Sequence, residues 1–179
     1  MITENKTLKS ILCVVASFFM LAGLTACGQE KALSMYSVDP ESARGTELTP
    51  TELEGFKEAV DSYGDVYDMS DTFGYPAAAV SSDDLNIIYL KLESESEARS
   101  MVIGDRDSDG IDLDVISSGE NYDYYEEVSQ STSEGTDSLY GLYLRVDSTL
   151  ILVTGSLENR DRIKAEALDF YSCLGYPVP

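Results

Sequence analysis

Residues 105–114 read Asp-Arg-Asp-Ser-Asp-Gly-Ile-Asp-Leu-Asp, a run in which carboxylates recur at alternate positions. Such spacing, followed by a Gly that permits a sharp turn, is how a chain brings hard oxygen ligands round one calcium ion. Asp105, Asp107 and Asp109 with the Ile111 carbonyl would start such a site, and Asp112 or Asp114 would complete it. The match to a twelve-residue calcium loop covers only its first six positions. Ile116 stands where a bidentate Glu is needed, and Asp112 stands at the eighth place, usually apolar. Two readings follow: a looser site, whose oxygen ligands suit calcium better than zinc or copper, or a solvated acidic connection.

Other chemistry is narrowed by composition. The chain has no His and no Trp, which excludes Ser-His and Cys-His pairs and zinc sites built on imidazole. Two carboxylates about 5–10 Å apart can hydrolyse a glycoside, but no motif selects a pair, so a carboxylate-based hydrolase is the weaker alternative and a non-enzymatic protein is expected. Tyr122, Tyr124, Tyr125, Tyr140 and Tyr143 fall on two predicted strands. There they form either a recognition face for peptide or glycan or ordinary half-buried sheet residues.

The first 27 residues concern location. Lys6 and Lys9 precede the apolar run Ile11 to Leu21 and then Leu24-Thr25-Ala26-Cys27. A basic start, a short apolar core and a small-residue cleavage site make a secretory signal, and the core is shorter than the roughly 20 residues of a membrane-spanning helix. The tetrapeptide resembles the lipobox of bacterial lipoproteins. That resemblance implies diacylglyceryl transfer to the Cys27 thiol, removal of residues 1–26, and a protein held on the extracytoplasmic face of the cell membrane. Two acyl chains hold a protein durably where one gives only reversible binding.

Of 12 Lys plus Arg and 33 Asp plus Glu, residues 1–26 hold two Lys and one Glu, leaving 10 against 32, or −22. That balance argues against nucleic acid and anionic lipid head groups as partners, because both need positive charge opposite phosphate. Cations and basic surfaces remain. Cys13 lies in the signal and Cys27 at the lipidation site, so Cys173 is left alone as a small buried apolar residue near a helix end.

Residues 27–48 lack a sustained period and are expected to be a flexible tether, followed by one domain over 49–179. Thr49-Pro50-Thr51-Glu52 predicts a helix start, with Leu53, Phe56, Val60 and Tyr63 on its apolar stripe. A strand is expected over 86–93, then a capping box Ser94-Glu95-Ser96-Glu97 opening a short helix, and an acidic loop over 105–119. Strand 121–130 and a hairpin over 138–154, turning at Asp147-Ser148, lead to a final helix with Ile163, Ala167, Phe170, Tyr171 and Leu174 inward. The expected fold is α+β, with a mostly antiparallel sheet of about four strands and helices on one face, in the order α-β-α-β-β-β-α.

With its strand-turn-helix ending VDSTLILV and LDFYSCLGYP, this pattern resembles small uncharacterised lipoproteins of single-domain α+β type, a likeness that implies fold and location but no activity. The expected protein is a lipid-anchored surface module binding a protein, peptide or glycan outside the cell. The alternative is a calcium-binding module using Asp105 to Asp114.

Overall fold

A computed structural model describes residues 47–82, 84–103, 111–130 and 138–179. The signal, Cys27, nearly all of the tether, and Asp105, Asp107 and Asp109 lie outside the described residues.

Helix α1 (Leu53–Val60) runs into a short turn of 3-10 helix, followed by β1 (Val66–Asp68), α2 (Ser70–Phe73), β2 (Ala77–Ser81) and β3 (Leu85–Lys91). Helix α3 (Glu95–Ile103) leads to β4 (Ile111–Ser118), β5 (Tyr122–Ser129), β6 (Leu139–Val146) and β7 (Thr149–Ser156), and α4 (Arg160–Cys173) closes the chain. The seven strands form one sheet in the order β1-β2-β3-β7-β6-β5-β4, with every neighbouring pair antiparallel. The chain therefore meanders outward to inward twice, and β7 returns to the middle beside β3.

Three parts of the expected fold are corrected. There are seven strands, not four, because β1, β2 and β4 lie in stretches whose composition hides them. Strand β2 is Ala-Ala-Ala-Val-Ser, built of small residues of low strand propensity, and β4 carries Asp112 and Asp114 in what reads as an acidic loop. The element order is consequently longer than α-β-α-β-β-β-α. Helices also cover both faces instead of one. Phe56 and Val60 of α1 and Ile163, Ala167, Phe170 and Tyr171 of α4 pack on one face, whereas Ala98, Met101 and Val102 of α3 pack on the other, against Leu90, Leu150 and Leu152. Being covered twice, β3, β6 and β7 can bury nearly every side chain, which accounts for the unbroken apolar run Leu150 to Val153.

The ends of the domain are tied by polar side chains. Asn121 stands in for a strand partner at Leu48, accepting from its N–H and donating to its carbonyl, both at 2.8 Å. The Thr49 capping box does not form: the helix starts at Leu53, and Thr51 N–H instead donates to the Tyr176 hydroxyl at 2.7 Å. The second capping box forms in half around α3: Glu97 N–H donates to Ser94 Oγ, but the Glu97 carboxylate accepts from Glu93 N–H instead of from that of Ser94. At the far end Gly175, at φ 85°, turns the chain out of α4. Cys173, expected to be buried, is exposed on the outer side of that helix.

Candidate functional site

Two groups of charged side chains follow from the period-2 alternation of β5. On the α4 face, Glu126 follows Tyr122 and Tyr124 and lies under the start of α4. Its carboxylate accepts from Arg160 at 2.7 Å, from the Tyr140 hydroxyl at 2.9 Å and from Lys164 at 3.2 Å, and the Arg160 guanidinium sits 5.4 Å above the Tyr140 ring. Burial opposes ionisation of Glu126, but Arg160, Tyr140 and Lys164 outweigh it and hold the carboxyl below its ordinary range. Tyr140 is pushed the other way, by burial and by Glu126 itself, and keeps its proton. The group is thus an ionised, closed cluster with no carboxyl poised to give up a proton near neutrality.

On the opposite face the guanidinium of Arg145 is wholly buried. It donates to Asp123 Oδ2 from Nε at 2.8 Å, with Nη2 2.6 Å from the same oxygen, and to the carbonyls of Asn121 and Asp147 at 3.1 Å. Ser118 and the Tyr125 hydroxyl donate to Asp123, and Arg99 and Glu95 of α3 close the network. Burial again disfavours the Asp123 charge, and Arg145, Ser118 and Arg99 overcome it, lowering the carboxyl. Two arginines here balance two carboxylates, and the arrangement binds β5, β6, the hairpin turn and α3 to one another. Arg145 and Asp123 were invisible as a site in the sequence; the available signal was one Arg in the otherwise uncharged strand Leu139–Val146.

Among the residues singled out by sequence, Ile111, Asp112 and Asp114 form the first half of β4. Asp112 and Asp114 are exposed on the α4 face, opposite Val128 and Glu126 of β5. They lie in an extended strand, and among the described residues, which exclude Asp105, Asp107 and Asp109, no group of three or more His, Cys, Asp or Glu is placed to hold a metal ion. The tyrosines do not make a recognition face: Tyr122, Tyr124, Tyr125, Tyr140 and Tyr143 are all core residues. Their rings fill the space between sheet and helices, and the hydroxyls of Tyr124, Tyr125 and Tyr140 donate to the Pro177 carbonyl, Asp123 and Glu126 at 2.6, 3.1 and 2.9 Å. An open hollow beside the start of α4, lined by Glu158 to Arg162, mixes both charges.

The remaining feature is the sign of the surface. Each of the seven Lys and Arg among the described residues is within ion-pair distance of a carboxylate: Lys57, Lys91, Arg99, Arg145, Arg160, Arg162 and Lys164. No protein-family model, curated protein or solved structure matches the chain.

Proposed function

We propose that this chain is a lipid-anchored, non-enzymatic interaction module on the extracytoplasmic face of the cell membrane, attached through Cys27 and engaging a positively charged protein or peptide segment. The anchor half rests on the order of basic residues, apolar core and lipobox in residues 1–27. The binding half is carried by one observation: every described cation is tied down within the fold, so the surface offers a partner unspent carboxylates and no unpaired cation among the described residues. Such a surface attracts basic partners and repels phosphate. Among the described residues no helix is long and apolar enough to cross a membrane.

The hydrolase reading finds less support. The carboxyls of Asp68, Asp123 and Glu126 are held below their ordinary range, the opposite of what a general acid requires. A calcium-ordered form of the module stands as a second reading, favoured by Asp112 and Asp114, whose side chains leave β4 on the same exposed side just after the Asp105 to Asp109 run. The anchor is tested by fractionating cells that express the wild type or Cys27→Ala. The variant should leave the membrane fraction, and retention equal to wild type would contradict the reading.

A further inference from the structure

The two edges of the sheet are unlike. Strand β1 is three residues long, and its last residue, Asp68, is spent on Lys57 at 2.7 Å and on the N–H of Ser70. Strand β4 is eight residues long and has β5 on one side; among the described residues no strand lies on the other. Its pairing is regular from Ile111 to Val115, and a bulge then interrupts the register before Ser117. The rim of those five residues, unpaired among the described residues, is a row of backbone donors and acceptors of the kind that takes an added strand.

Side chains along the rim select what could be added. Asp112 and Asp114 are exposed on the α4 face and neither is ion-paired among the described residues, because Arg160 and Lys164 are held by Glu126. Leu113 and Val115 point to the opposite face and join its apolar cluster. A strand laid along β4 therefore has carboxylates beside its residues on one face and apolar surface beside those on the other. A second copy of this chain paired through β4 would set Asp112 and Asp114 against identical charges, which disfavours self-association.

We infer that β4 is a docking edge for an extended partner segment that alternates basic and apolar residues, its backbone pairing with Ile111 to Val115 and its basic side chains lying beside Asp112 and Asp114. This deepens the reading of the chain as an interaction module and does not depend on the lipid anchor.

The test uses the purified full-length chain and a fluorescent peptide alternating lysine and valine, followed by anisotropy near physiological salt. Two comparisons accompany it: the same peptide N-methylated along the edge that would face β4, which keeps charge but cannot donate ladder hydrogen bonds, and the variant Asp112→Asn with Asp114→Asn. Both sites are exposed, so the variant should keep the wild-type unfolding midpoint, which is checked first. Binding that weakens about tenfold or more in each comparison, with slowed amide exchange at Ile111 to Val115 on addition of the unmethylated peptide, supports the edge. Equal affinity for the methylated peptide would reduce the interaction to unspecific charge attraction and overturn it. So would unchanged affinity of the double variant, or no binding by the native chain. These results leave the membrane fractionation of Cys27→Ala untouched, so failure of the edge and failure of the anchor are told apart.

Discussion

Replacing Arg145 by Met keeps a side chain of similar length in a fully buried position while removing every contact its guanidinium makes. Asp123 then loses its closest partner, at 2.6 Å and 2.8 Å, and keeps the Ser118 and Tyr125 hydroxyls and Arg99 at 3.4 Å. The carbonyls of Asn121 and Asp147 also lose a donor. Removing one partner of a buried ion pair costs about 3–5 kcal/mol, because the other charge stays buried without compensation. For a domain of this size that corresponds to a fall of roughly 10–20 °C in the unfolding midpoint. Circular dichroism or tyrosine fluorescence can follow it, there being no Trp in the chain. The pH dependence has a definite sign. In the wild type the Asp123 carboxyl is lowered, so its contribution is present above the unfolded value of about 3.9 and is lost as pH falls through the lower folded value. In the variant Asp123 is buried without Arg145, and protonating it relieves the penalty. The gap between the two proteins should therefore be widest near neutrality and narrow as pH falls below about 5. Adding Asp123→Asn should recover part of the loss. A single-variant cost under about 1 kcal/mol, or a gap independent of pH, would refute the view that this pair fastens β5, β6 and α3.

Glu126→Gln should destabilise the domain by about 1–2 kcal/mol through loss of charge-assisted bonds, and the loss should shrink at high salt because Arg160 and Lys164 are half exposed. A denaturant series at two ionic strengths checks both points. Gly141→Ala would place a methyl group 2.5 Å from the ring of Tyr143, which is buried and cannot swing away freely. A cost of about 1–3 kcal/mol is expected, and a midpoint equal to wild type would show the β6 packing to be wrong. For the calcium reading, the full chain is melted in excess EDTA and then across a calcium titration. The reading predicts a saturable rise, about 2.7 kcal/mol at a hundredfold excess over Kd, that is absent in Asp107→Ala with Asp109→Ala; a flat midpoint at millimolar calcium would remove it.

Strong periodicity was legible in the sequence wherever one physical demand dominated. The stripe Ile163, Ala167, Phe170 and Tyr171 is the buried side of α4, and the Asp147-Ser148 turn joins β6 to β7 as its spacing required, with Asp147 at φ 50° in a region that Asp tolerates. Legibility failed where two demands compete in one segment. Strand β4 is apolar toward α3 and exposed on the α4 face, so Leu113 and Val115 alternate with Asp112 and Asp114, and the acids dominate its composition. Strand β2 uses Ala77, Ala78 and Ala79, all buried, where the two faces are covered closely, and small residues leave no strand signature. The tyrosines were ambiguous in the sequence, since a ring with a polar tip suits a recognition face and a core equally well. Here the rings are buried and the tips find partners within the fold, Tyr124 at the Pro177 carbonyl, Tyr125 at Asp123 and Tyr140 at Glu126. The ion clusters depend on register across strands distant in sequence, such as Asp123 beside Arg145, which no local pattern encodes.

The most direct test of the account is intact mass spectrometry of the protein isolated from the membranes of a bacterium that expresses the full sequence. The account predicts a chain that begins at Cys27 and carries a thioether-linked diacylglyceryl group, with residues 1–26 gone. A chain that begins elsewhere, or an unmodified Cys27 in the membrane-bound protein, would contradict it.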